Sequence, residues 1–426
     1  MPEDYFPGLR TLIADAVKQS PRMIARTLDE ALAESTRISN RSGQLPSVGG
    51  YGTYYPLDEQ IRDYGGGSTP THVQKIGFGM SITQPLFHWG ALRATTKTGD
   101  MQLRLTQGQT AEAYRTLVYE IRATYLQLVM RKAGVKRATL NQRIADAQLA
   151  LARSKREKGV ISDADLFSPT IAAESARLAY DKAVDAYEVT RRSLSKLTGA
   201  PPLADDAVGD AIPAVTPDSG LRQLVDDFTG RPDPDTYQLR STRRQIEMEH
   251  LTYDVIKTRL WPKFNMIAGI SQDQQKLSVT GGVPYMVRDY FIGGQVTWSV
   301  FDGFATKAAK SASLTRRRQL EQTFRDQTAD LIEGVKDRAR QIDFAGRSLA
   351  MSEKLLNSAE NLYRAAKEDL ERGNTSEAAV NSAELNLIDS QIGSYGARYD
   401  YMIRVADLVS VIMHDPALAN LPAKYR

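Results

Sequence analysis

Laid on itself with a shift of 214 positions, this chain of 426 residues matches without a gap. Thr83 meets Thr297, Phe87 meets Phe301, Ala91 meets Ala305 and Ala94 meets Ala308. The same shift sets Glu157, Gly159, Ser162 and Ala164 on Glu371, Gly373, Ser376 and Ala378. It still pairs Tyr187 with Tyr401 and Leu194 with Leu408. One register held from Thr83 to Leu194 marks an internal duplication, so the fold must use one supersecondary unit twice.

Proline shows what that unit contains. It is excluded from helix interiors, and none intervenes between Pro85 and Pro169 or between Pro284 and Pro416. Prolines cluster instead between Pro201 and Pro234. The spacing predicts a first repeat over 1–200, a connector over 201–235, a second repeat over 236–413 and a C-terminal segment over 414–426. Each repeat opens with a helix of roughly 30 residues, stopped at Pro46 or Pro262. Strands then follow at about 47–57 and 73–86, and again at about 263–273 and 290–300. Long helices are expected over 88–158 and 302–372, each about 70 residues and roughly 105 Å in length. Return helices run over 162–198 and 376–413. Helices this long must pack along one another.

The strands alternate. Ile76, Phe78, Met80 and Ile82 oppose Gly77, Gly79, Ser81 and Thr83, while Ile292, Val296, Trp298 and Val300 oppose Gly293, Gln295, Thr297 and Ser299. A half-buried sheet on a soluble core would alternate in the same way. No other segment, however, offers an apolar layer to cover that face. The small polar side suits a water-filled lumen, and Tyr51, Tyr54, Tyr55, Tyr285 and Tyr290 crowd the strand ends as interface girdles do. Four strands cannot close a barrel, so a lipid-facing sheet requires several copies of the chain.

The return helices carry a seam. Leu385, Ile388, Ile392, Tyr395, Tyr399, Met402, Ala406, Val409 and Met413 step by three and four in the manner of a coiled coil. A soluble scaffold would carry the same seam.

Composition and motifs exclude several functions. A net charge of +4 gives no case for a nucleic-acid binder, and no apolar run is long enough for a transmembrane helix. The chain has no cysteine, which removes thiolate metal sites and cysteine nucleophiles. The first residues lack a signal-peptide pattern. His72, His88, His250 and His414 have no metal-ligand spacing, so no catalytic residue, metal or cofactor is expected. His88 stands where the second repeat has Asp302, which suits a polar boundary. The glycines of "YGGGSTP" at 64–70 lack the lysine of a phosphate loop and fit a hairpin turn. Arg316, Arg317 and Arg318 read as a solvated helix face.

The order helix, proline stop, two strands, junction, long helix, glycine turn and return helix resembles the TolC-like outer membrane factor family. The junctions "QPLFHWGALRA" and "WSVFDGFATKA" are similar to its strand-to-helix signature. The pieces "REKGVISDADLFSPTIAAESARLAYDKA" and "LERGNTSEAAVNSAELNLIDSQ" are similar to its helical-tip signature. The likeness spans about Ser20 to Met413.

The resemblance implies an α+β membrane protein acting as a homotrimer. Its four strands per chain would share a twelve-stranded transmembrane β-barrel, continued by a long α-helical barrel across the periplasm of a Gram-negative bacterium. Such a duct serves an efflux pump or a type I secretion system without catalysis. It works with a periplasmic adaptor (membrane fusion) protein and an inner-membrane transporter, and binds no nucleic acid. The absence of a lipidated cysteine inclines towards the non-lipidated members, which include the secretion ducts.

Carried over by position, the adaptor-contacting tip would comprise Lys158, Gly159, Val160, Ile161 and Ser162, with Arg372, Gly373, Asn374, Thr375 and Ser376. The tunnel entrance would fall near Asp165, Leu370, Glu371, Glu377, Ala379 and Ser382. The family's charged gate positions are here Leu370, Thr375, Ala379 and Ser382, so any acidic ring must come from Asp165, Glu371 or Glu377. Phe78, Met80, Ile82, Ile292, Val296 and Trp298 would face lipid. A local reading stands beside the tip reading: Ser162 with Asp165 and Asn374 with Glu377 have capping-box spacing, and Gly159 and Gly373 suit helix C-termini. The alternative function is a soluble coiled-coil scaffold without a pore.

Overall fold

The computed structural model describes residues 1–63, 67–217, 220–276 and 285–425. Nine α-helices and four strands appear among them. In order they are α1 (Pro2–Tyr5), α2 (Pro7–Gln19), α3 (Pro21–Ser42), β1 (Ser47–Asp63), β2 (Ser68–Phe87), α4 (Ala91–Glu157) and α5 (Asp163–Thr198). After these come α6 (Leu221–Thr229), α7 (Tyr237–Lys257), β3 (Lys263–Lys276), β4 (Tyr285–Thr297), α8 (Ala305–Glu371) and α9 (Glu377–Val411). The ends of α4 and α8 differ by 214 at both termini, so the repeat seen in residue identity is also one of backbone.

The backbone repeats down to single dihedral angles. The described residues with positive φ form four pairs at the same shift: Trp89 with Gly303, Gly90 with Phe304, Gly159 with Gly373, and Gly199 with Met413. Only glycine takes this conformation without steric cost, yet three of the four pairs hold a bulky residue on one side. The backbone path is therefore imposed by the repeated architecture rather than by local preference.

Several boundaries differ from those expected, for identifiable reasons. The expected N-terminal helix is broken at Phe6 and Ser20, where Pro7 and Pro21 begin new helices. The long helices start three residues late because the left-handed pairs after His88 and Asp302 turn the chain first. β1 and β2 are longer than predicted, and β4 begins at Tyr285 and ends at Thr297 rather than Val300. Pro85 lies within the pairing of β2. It pairs with Asn265, and the register slips before Phe87 meets Phe264. A second irregularity brackets Pro56, between Tyr55 and Asp58. Pro169 lies inside α5, leaving the Asp165 carbonyl without its usual helical donor. Residues 201–235 contain a 3-10 turn at Asp205–Ala207 as well as α6. The second return helix stops at Val411, since Met413 is left-handed. Of the expected hairpin turn at 64–70, Tyr64, Gly65 and Gly66 lie outside the described residues.

The chain divides into two compact units. One contains Met1–Asp29, Gln107–Ser241 and Arg325–Arg426. Its core surrounds α4 between Ala111 and Val129, with Tyr114, Leu117, Ile121 and Leu126 fully enclosed. Leu9 and Ile13 of α2, Leu194 of α5, Met402 of α9 and Leu421 pack on this stretch. At its centre Arg122 is buried, with its guanidinium bound to the carboxylates of Glu3 and Asp415. Nearby, the Tyr114 hydroxyl lies 3.4 Å from the Ile13 carbonyl and 3.3 Å from that of Ala417, and accepts from Asn420 Nδ2.

The other unit contains Glu30–Thr106 and Thr242–Phe324. Its sheet is an antiparallel meander in the order β1-β2-β3-β4. Among the described residues β1 pairs only with β2 and β4 only with β3, so the sheet is open at both edges. No helix among the described residues is long and apolar enough to cross a membrane.

Candidate channel wall and tip turns

Residues directly opposite one another in antiparallel strands share a face. Met80 lies opposite Gly50 and Ile270, and Ile82 opposite Val48 and Ala268. Ile270 and Ala268 in turn oppose Tyr290 and Ile292, and Phe264 opposes Val296. Phe78, Met80, Ile82, Ile292 and Val296 therefore lie on one apolar face that crosses all four strands. That face is uncovered, with Phe78 50% and Ile292 78% exposed. Trp298, expected on the same face within a strand, lies just beyond β4, and its indole N–H donates to the Leu260 carbonyl at 2.9 Å.

The opposite face is less uniformly polar than the alternation suggested. Tyr51 lies opposite Gly79, and Phe291 opposite Gly269. A Cβ on Gly79 would come within 2.8 Å of the Tyr51 ring, and one on Gly269 within 2.7 Å of Phe291. Glycine leaves these rings room to lie over the backbone.

Where strand becomes helix, three aromatic rings stack. Phe87 meets Trp89 edge-on at 4.8 Å, and Trp89 meets Trp261 at 4.9 Å. Trp89 Nε1 donates to the Pro262 carbonyl at 2.7 Å, so Trp89 and Trp298 fasten the two junctions to one turn. His88 Nε2 lies 2.9 Å from Asn265 Oδ1, while Asp302 accepts from the Thr306 N–H and hydroxyl. His88 thus ties the junction to β3, and Asp302 caps α8. Sequence reasoning singled out His88 and missed Trp89. An aromatic beside Gly90, at a bend repeated 214 residues on, was the available signal.

The tip turns are matched C-caps. Gly159 N–H reaches Arg156 O at 2.8 Å and Val160 N–H reaches Lys155 O at 2.9 Å. In the second repeat Gly373 bonds Leu370 and Asn374 bonds Asp369, at 3.0 and 2.8 Å. This is the Schellman arrangement, with left-handed glycine at φ +71° and +75°. The helices that follow start differently. Ser162 and Asp165 form a full capping box, and hydrogen bonds from Ser162 hold the Asp165 carboxyl below the ordinary range. In the second repeat Ser376, not Asn374, is the cap. Its hydroxyl accepts from Ala379 N–H at 3.3 Å, and the expected Asn374–Glu377 box does not form.

The tip side chains are free to meet other molecules. Lys158, Gly159, Val160, Ser162, Arg372, Gly373, Asn374 and Ser376 are exposed, and Ile161 and Thr375 half-buried. Among the entrance candidates Glu371, Glu377, Ala379, Ser382 and Asp165 are exposed, and Leu370 is half-buried. No group of acidic or histidine side chains among the described residues could hold a metal ion.

An open antiparallel sheet with one apolar face, joined twice to paired long helices, defines the architecture of an outer-membrane channel protomer. The outer membrane efflux protein family matches residues 12–200 and 237–412, and the chain belongs to that family. The pyoverdine export outer membrane protein OpmQ of Pseudomonas aeruginosa is 20% identical over 343 residues, spanning 76% of this chain and 70% of its own. In fold, the chain resembles the Campylobacter jejuni CmeC outer membrane channel. The TM-score is 0.74 at 14% identity, over 100% of this chain and 92% of that one. It also resembles VceC of Vibrio cholerae, with a TM-score of 0.68 at 14% identity over 98% and 97% of the two chains.

Proposed function

We propose that three copies of this chain form a passive exit duct in the outer membrane of a Gram-negative bacterium. Three four-stranded sheets, joined β4 to β1, make a twelve-stranded barrel with no free edge. Phe78, Met80, Ile82, Ile292 and Val296 face lipid, and Trp298 lies at the boundary. The four long helices of each chain line a tunnel through the periplasm. Lys158–Ser162 and Arg372–Ser376 meet a periplasmic adaptor, which connects the duct to an inner-membrane transporter. Asp165, Leu370, Glu371, Glu377, Ala379 and Ser382 surround the entrance. With Asp165 committed to its capping box, Glu371 and Glu377 are the acidic side chains left to narrow it.

One observation carries this reading: among the described residues the sheet has two long unpaired edges and one uncovered apolar face. A soluble scaffold has no use for either, and both are aggregation hazards in water. Efflux is favoured over type I secretion by family membership and by the export role in the name of the P. aeruginosa relative. The duct itself catalyses nothing.

The absence of cysteine makes the trimer directly testable. Cysteine pairs scanned along β1 and β4 should give a covalent trimer on oxidation in membranes. Cross-links that form only within one chain, or none in any register, would refute the shared barrel.

A further inference from the structure

All three tryptophans of the chain, Trp89, Trp261 and Trp298, lie at the strand-to-helix boundary. Around them Val300, Phe301 and Phe304 are about two-thirds exposed, at 70%, 68% and 67%. An interfacial tryptophan ordinarily offers its N–H to the headgroup region. Here the N–H groups of Trp89 and Trp298 are committed to backbone carbonyls, so these two rings turn only apolar surface outward. The polar contact with the membrane surface must come from other side chains.

The neighbouring cations are arranged to supply it. Arg93 is the third residue of α4 and Lys307 the third of α8, at the same step of the repeat. Neither helix has an acidic residue in its first turn, the position that favours negative charge. A cation at the positive end of a helix opposes folding; the placement occurs twice, and in α8 the capping carboxylate of Asp302 offsets it in part. Lys97, Arg259, Lys263 and Lys310 extend the patch. Arg93, Lys97, Arg259 and Lys307 are exposed; none of the six makes a direct ion pair among the described residues, although the charge of Arg259 adds to the Thr306 hydrogen bond in holding the Asp302 carboxyl below its ordinary range. The nearby acids are occupied: Asp100 pairs with Arg37, Asp254 with Lys257, and Asp302 caps α8.

We propose that this boundary is an anionic-phospholipid collar, in which Arg93, Lys307 and their neighbours bind headgroup phosphates while the tryptophan and phenylalanine rings enter the adjacent acyl layer. The proposal rests on the sheet spanning the membrane. Charge complementarity selects the partner: exposed cations at the strand-to-helix boundary of an apolar sheet fit an anionic bilayer surface. The collar fixes the depth of the barrel and opposes tilting when a partner pulls on the helices.

Because every tryptophan is in the collar, intrinsic fluorescence reads its lipid contacts alone. Full-length protein is reconstituted with brominated phosphatidylglycerol or brominated phosphatidylcholine at equal mole fraction, and quenching is compared. The phosphatidylglycerol should associate about twofold or more in preference, an effect screened by salt. A triple variant, R93Q/K97Q/K307Q, should lose the preference while still forming channels. Lys307→Glu alone should weaken it and needs no multiple substitution. Equal quenching of the unaltered protein by both lipids, or a preference unchanged in the triple variant, overturns the collar. Absence of quenching from protein that still conducts overturns it and leaves the duct standing. Absence of both quenching and conductance removes the duct as well.

Discussion

Trp89 and Gly303 stand 214 positions apart and adopt the same left-handed backbone, at φ +57° and +63°. Gly90 and Phe304 follow them at +84° and +68°. Each junction therefore uses two consecutive left-handed residues, and each has glycine at only one of them. Trp89 is held there by its bond to Pro262 and its contacts with Phe87 and Trp261.

The sign of a glycine-to-alanine change should depend on which side of this pattern it falls. Gly303→Ala places a Cβ on left-handed backbone and should cost about 1–2 kcal/mol. Gly393→Ala, in the interior of α9 with nothing within 4 Å of the added atom, should gain about 0.5–1 kcal/mol. Thermal unfolding of the two variants in detergent gives the comparison. Equal shifts of the same sign would mean that the bend is not held.

Arg122 should be the least replaceable side chain of the helical unit. Arg122→Ala leaves Glu3 and Asp415 facing each other in a buried site, at an expected cost of about 3–5 kcal/mol. Limited proteolysis should show early cleavage near both chain ends. Unchanged protection would mean that the clasp contributes little.

Tyr114 links stability to alkaline pH. Burial pushes its hydroxyl up to about 12, against the opposing hydrogen bond from Asn420. Its folded value is raised above the unfolded one, so its stabilisation is complete below about pH 10 and disappears as pH rises towards 12. Tyr114→Phe should lose about 1 kcal/mol at neutral pH and show a shallower decline over that window. Denaturant midpoints measured from pH 7 to 12 decide it.

The two return-helix caps should differ. Ser162→Ala breaks a complete capping box and should cost about 1 kcal/mol, whereas Ser376→Ala removes a single cap bond and should cost less. Asp165 is held below its ordinary range, so its share of the cap persists above about pH 4 and is lost as pH falls further. Amide exchange at Asp165 and Ala379 measures both caps directly. Equal acceleration in the two variants would show that the box adds nothing to the single cap.

Much of this fold could be read from the chain. The 214-residue shift located both long helices because proline-free length and matched glycines are one-dimensional signals. Gly159 and Gly373 marked the tip turns for the same reason. What escaped depends on long-range contact. Nothing local couples Arg122 to Glu3 and Asp415, nor makes Ser376 rather than Asn374 the cap. Tyr51 over Gly79 was hidden because alternation reveals which residues share a face of one strand, but not the register that sets a ring over a neighbouring glycine. That Phe78, Met80, Ile82, Ile292 and Val296 share one face was legible through period-two patterning. Trp298 was only partly so, because β4 ends at Thr297.

The central claim is that the exposed apolar sheet becomes the wall of a pore. Purified full-length protein added to planar bilayers tests this most directly. Stepwise, discrete conductances are expected, and they should vanish when Ile82→Asp and Ile292→Asp are combined on the lipid face. Bilayers that stay silent with well-folded trimer, or conductance unaffected by that double substitution, would contradict the account.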